Sequence, residues 1–208
     1  ATLWPRGAIP VCYEKETYDS SRWLELLLVQ QAAAQWSDEL VAAAESQGLE
    51  PTSFVGFERC TNETERTSIR IRIEDSTENP HVKQLGRGLR GLKDGMVLNF
   101  DFRNFSPDCR KNDAGRYFCV VAVALHEFGH ALGFAHEQNR PDTPPSCDDA
   151  PQGPNGDFYY GAWDHDSVMN YCNPRWNNWA QLSQGDKLWA RATYYRETID
   201  DKFCDGLS

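Results

Sequence analysis

An α+β fold is predicted by three features of the 208 residues. Alternating apolar and polar segments, the mark of half-buried strands, are confined to the N-terminal half. Two stretches with helical apolar character interrupt and follow them, and the remainder lacks periodicity until one last helical segment. In order, Ala8 to Tyr13 reads as a short strand. From about Ser20 to Ala44, Leu24, Leu28, Ala32, Trp36 and Leu40 recur every fourth residue and form the stripe of a long helix, which Gly48 and Pro51 end. Ser53 to Phe57 is a second strand, and Ser68 to Glu74 sets Ile69, Ile71 and Ile73 against Arg70, Arg72 and Glu74. Gly86, Gly88, Gly91 and Gly95 mark a turn-rich loop, not a phosphate cradle, because no helix opens after it. Leu98, Phe100 and Phe102 alternate again. Val120 to Leu125 is apolar all round and begins a buried central helix. Asn139 to Trp163, crowded with Pro, Gly and Asp, is an ordered irregular loop, and Ser183 to Tyr195 is the last helix. With no repeat and no linker, residues 1–208 read as one domain. Its N-terminal lobe, 1–136, is a sheet covered by two helices, and its C-terminal lobe is 137–208.

Composition narrows the function. The formal charge of −10 without a basic cluster excludes nucleic acid as a partner, since phosphate binding needs the opposite sign. No apolar run approaches the ~20 residues of a membrane span. Seven cysteines, none in a C-x-x-C pair, point to disulfides in an exported protein, secreted or periplasmic. Because seven is odd, at least one thiol is free or pairs outside the chain; a buried thiol is the expected state, with a thiolate latch on a metal as the alternative. Cys109 and Cys119 bracket a polar loop and are candidates for a local bridge, and Cys147 and Cys172 for a staple. The chain starts at Ala1 without Met or a signal peptide and is read as a processed mature form.

The chemistry is concentrated in His126-Glu127-Phe128-Gly129-His130-Ala131-Leu132-Gly133-Phe134-Ala135-His136-Glu137, which places three of the five histidines within one short run. On a helix, His126 and His130 lie one turn apart on one face, so both rings can reach one Zn²⁺ at ~2.0–2.1 Å. His136 would sit ~9 Å further along a continued helix and could not share the metal. The chain must therefore turn, and Gly133 can take the left-handed conformation that ends a helix. Three neutral donors leave a fourth position for water, whose pKa can fall to about 7. Glu127, beside them, is the candidate general base.

These residues resemble the astacin-like metalloproteases of the metzincin clan. His136-Glu137-Gln138-Asn139-Arg140-Pro141-Asp142 is similar to the family's H-E-Q-S-R-P-D, and Trp163 to Tyr171 to its Y-D-Y-x-S-V-M-H-Y Met-turn. The borders Leu3-Trp4 to Ile9-Pro10 and Leu182-Ser183 to Asp186 also resemble it, so the likeness spans nearly the whole chain. The resemblance implies a metzincin-type catalytic domain with a twisted mixed sheet, two long helices in the N-terminal lobe, one helix in a mostly irregular C-terminal lobe, and an active-site cleft between the lobes. It also implies that His126, His130 and His136 hold Zn²⁺, that Glu127 is the base, that Met169 floors the metal and that Tyr171 is catalytic. Arg175 would line the primed-side pocket and favour an acidic residue after the cut. Val97 to Phe102 would be the sheet edge that pairs with substrate. Asn170 replaces the family's His in the Met-turn. Ser53 stands where the family carries the cysteine that bridges to the C-terminal one, so the partner of Cys204 is open between Cys12 and Cys60. With few residues before Leu3, a buried N-terminus contacting Glu137 is not expected. The shortened loop before Met169 suggests a divergent, bacterial branch. His81 and His165 are read as solvated surface histidines.

The expected function is a secreted zinc endopeptidase, a monomer made as a zymogen with a propeptide, acting on protein or peptide substrates. The main alternative is a catalytically silent zinc-binding module with a protease fold, against which the intact Glu127 argues; hydrolysis of a non-peptide amide is a third.

Overall fold

The computed structural model describes residues 2–103 and 106–196. Five strands form one mixed sheet in the order β2-β1-β3-β5-β4: β1 Ala8–Tyr13, β2 Ser53–Arg59, β3 Ile69–Glu74, β4 His81–Val82 and β5 Met96–Asn99. All neighbours are parallel except β4, which runs antiparallel to β5. Two long helices, α1 Trp23–Gln47 and α2 Asp113–Leu132, pack on each other, and α3 Gln184–Tyr195 packs on α1. The α+β expectation, with two long helices before the irregular region and one after it, is borne out. No described helix is long and apolar enough to cross a membrane.

The buried face of α1 is Val29, Ala32, Ala33, Trp36, Leu40, Ala43 and Ala44, a stripe at the three- and four-residue spacing of a helix. The predicted four-residue repeat is right in its centre and drifts off at its start, where Leu24 and Leu28 are only partly buried. A strict repeat of four overshoots the ~3.6-residue turn and rotates steadily away from the core. Gly48 closes the helix at φ 64°. In β3 the three isoleucines are buried and the charged residues between them half-exposed, as the alternation predicts.

Two expectations about the sheet need correction. Leu98, Phe100 and Phe102 do not lie on one strand: β5 stops at Asn99, whose side-chain oxygen accepts the Asp101 N–H at 2.9 Å and turns the backbone out of the sheet. Nor is Val97 to Phe102 the open edge. Val97 pairs with His81 and Met96 with Val82, so β4 covers the start of that segment and is itself the outermost strand. Two residues are too short a strand to show a period, and nothing in the sequence announces it.

Among the described residues three disulfides brace the fold: Cys109–Cys119, Cys147–Cys172 and Cys12–Cys60. The first two are the candidate pairs. In the third, both possible partners of Cys204 bond to each other across the parallel β1–β2 pair, with Cα atoms 5.0 Å apart. Cys204 lies outside the described residues.

Candidate metal centre

The support of the site is α2. The Asn112 side chain caps its first turn by accepting the Gly115 N–H, and Val120 to Leu132 is almost continuously buried. Its C-terminal carbonyls, which a helix leaves without intrahelical partners, are met from three distant segments. Gly86 N–H donates to His130 O at 3.0 Å, the Trp4 indole to Ala131 O at 2.9 Å, and the Tyr194 hydroxyl to Leu132 O at 2.9 Å. The helix therefore ends at a fixed place. There Gly133, at φ 109°, turns the chain back as its sequence position requires.

That turn brings His136 to the other two histidines. Each ring is oriented by a backbone carbonyl that accepts from Nδ1: Val168 O for His126 at 2.8 Å, Phe134 O for His130 at 2.7 Å and Gln152 O for His136 at 2.9 Å. With the ring protons at Nδ1, the three Nε2 atoms carry only lone pairs. They nevertheless converge, the Nε2 of His136 lying 3.2 Å from that of His126 and 3.1 Å from that of His130. Such contacts are not hydrogen bonds, since no proton lies between them. Acceptors held this close repel one another unless a cation sits among them, and bonds of ~2.0–2.1 Å at tetrahedral angles set nitrogens ~3.3 Å apart. The donor set thus fits zinc. Burial, with the neighbouring His136 as a smaller cause, pushes the His126 pKa down to about 3, and burial lowers those of His130 and His136, so the lone pairs stay free at neutral pH. Among the described residues His81 and His165 take no part in this group.

Glu127 is buried beside these rings and faces a cleft of about 330 Å³ that His126 and Tyr171 also line. Its Oε2 has no hydrogen-bond partner among the described residues. Burial alone pushes its pKa up to about 8; a dication in the neighbouring three-histidine site would favour the carboxylate. The Tyr171 ring centre is 4.5 Å from that of His136 and 5.5 Å from that of His126. Its backbone N–H is held by Gln138 Oε1, while burial and the charges of Glu127 and Asp149 push its phenol up to about 12, keeping it a donor. Met169 is buried against α2 at Gly129. Arg175, by contrast, is half-exposed outside the cleft lining, with Nη1 3.5 Å from Asp166 Oδ2.

A family model for the astacin peptidase family matches residues 115–146, the segment holding all three histidines. No curated protein matches the chain. Among solved structures, one of myroilysin is 19% identical and superposes with a TM-score of 0.61, covering 95% of this chain and 97% of its own. High choriolytic enzyme 1, a hatching enzyme zinc-protease from Oryzias latipes (Medaka fish), is 18% identical with a TM-score of 0.53, covering 92% and 94%. Over residues 115–146 the chain is similar to the astacin peptidase family. At these identities the two structures establish the fold, and the matched segment carries the likeness into the metal site.

The site also holds contacts that the sequence pattern does not reveal. Gly129, an unassigned position within the histidine spacing, is where Met169 approaches the helix: a Cβ there would lie 2.3 Å from Met169 Sδ and 3.1 Å from the Trp36 ring. A side chain there would have to displace the buried Met169. Beneath the Met-turn, Asp186 accepts from Ser167 Oγ at 2.7 Å and from the N–H groups of Val168 at 3.0 Å and Ser183 at 2.9 Å. Val168 in turn offers its carbonyl to His126, so a capping residue of α3 fixes the orientation of a histidine on α2. Glu137 accepts the Asp164 N–H at 2.8 Å, and its own N–H donates to Met169 O at 2.9 Å, pinning the start of the loop to the Met-turn. Asn170 donates to Asp164 O and accepts from Cys172 N–H, and so serves the turn's own backbone.

Proposed function

We propose that this chain is an exported zinc endopeptidase with His126, His130 and His136 as the zinc ligands. Zinc, when bound, supplies a Lewis acid that polarises a peptide carbonyl and lowers the pKa of water. Glu127 takes the proton of the attacking water and delivers it to the departing amine as the C–N bond breaks. Tyr171 donates its phenolic hydrogen bond to the carbonyl oxygen as negative charge develops there. Met169 forms the floor of the site, and the carbonyls of Val168, Phe134 and Gln152 hold each imidazole in the tautomer that leaves Nε2 free. Residues 1–208 act as one catalytic domain and a monomer, and a propeptide keeps the site silent before export. Three disulfides support an oxidising destination.

The observation that carries this reading is the convergence of three bare Nε2 atoms beside a buried carboxylate oxygen without a partner. A purely structural metal site needs no such carboxylate. Digestion of casein or gelatin by the purified chain should stop on addition of a strong chelator and resume on addition of zinc. Chelator-resistant digestion, or none in zinc-loaded folded protein, would contradict the proposal.

A further inference from the structure

The cleft beside Glu127 has a charge pattern that bears on what it admits. Its walls include Val123, Tyr171, Trp176 and Asn177, and its two acids are Glu127 and Asp149. Among the described residues that line it there is no lysine or arginine. The Trp176–Asn177 wall is tied to α2 by Asn177 Nδ2, which donates to Ala122 O at 2.9 Å. The opposite rim is tied by the Cys147–Cys172 bridge, since Asp149 lies two residues beyond one cysteine, Tyr171 directly precedes the other, and Asp149 Oδ2 stands 3.5 Å from Cys172 Sγ. Asp149 is therefore an exposed carboxylate held at the mouth of the cleft, next to the catalytic tyrosine. Arg175, which the resemblance offers for an acidic substrate residue, is outside this lining and faces Asp166.

We propose that this subsite takes a lysine or arginine side chain of the substrate, with Asp149 as its counter-charge. The aliphatic stem of such a residue can lie along Val123 and the Trp176 ring while the cationic head reaches the rim, the division of labour that long basic side chains favour. Asp149 and the net charge of −10 disfavour a substrate carboxylate at the same rim. The inference rests on the endopeptidase reading and selects its substrate class.

A library of quenched-fluorescence peptides, varied on both sides of one scissile bond and cleaved by the zinc-loaded chain, tests it. At one flanking position, kcat/KM should favour Lys or Arg over Glu by about two- to fivefold, the scale of an exposed ion pair, and the preference should shrink as salt is raised. In Asp149→Asn it should fall towards one, and in Asp149→Lys it should reverse. Because each figure is a ratio within one protein, partial misfolding of a variant cancels. Cleavage without charge preference, a preference for acids, or a basic preference that survives Asp149→Asn and is lost in Arg175→Ala would overturn the proposal while leaving the endopeptidase reading intact. Absence of cleavage of every peptide would remove both.

Discussion

Glu127→Ala should retain its fold and its zinc while losing nearly all turnover. Glu127 is not one of the converging ligands, and its Oε2 makes no hydrogen bond among the described residues that a truncation would break. Glu127 forms no ion pair with a described side chain, so its removal strands no charged side chain. What disappears is the group proposed to move the proton from water to the leaving amine, a contribution typically on the order of 10²–10⁴ in rate. The comparison is of kcat/KM on one peptide together with thermal melting and metal content. A variant that melts and binds metal like the wild type yet cleaves at the wild-type rate would take the general-base role from Glu127.

Tyr171→Phe should lower kcat by on the order of 10²–10³ and change KM little, because its proposed hydrogen bond strengthens only as charge develops on the carbonyl oxygen. The ring lies against His136 and His126 and the phenol remains protonated across the working range, so it is positioned as a donor. Phenylalanine preserves those ring contacts, and neither zinc content nor melting temperature should move. If the hydroxyl only served local packing in the Met-turn, kcat would stay within a few fold of wild type, and steady-state kinetics of the two proteins separates the cases.

The parts of this molecule legible in the sequence are those in which cause and effect are close along the chain. His126, His130 and Gly133 are linked by helical geometry over about two turns, so a third ligand at His136 requires the left-handed turn found at Gly133. The isoleucine alternation of β3 and the Trp36-centred stripe of α1 are likewise local. Contacts made across long separations leave no such trace. Gly129 gives room to a methionine forty residues later, and Asp186 orients His126 through Val168. Cys12 and Cys60 pair because two parallel strands meet, which no cysteine spacing specifies. β4 is illegible because two residues carry no period, and the apparent strand at β5 is too long because side-chain alternation persists where the Asn99 turn has already broken the backbone ladder.

The central claim, that three histidines hold one catalytic zinc, is tested most directly by metal analysis of the folded chain after dialysis at neutral pH, beside His136→Ala. The wild type should carry about one zinc per chain, and His136→Ala should lose most of it, because two donors on one helix face cannot close the site. Folded wild-type protein without a transition metal, or undiminished zinc in His136→Ala, would contradict the claim.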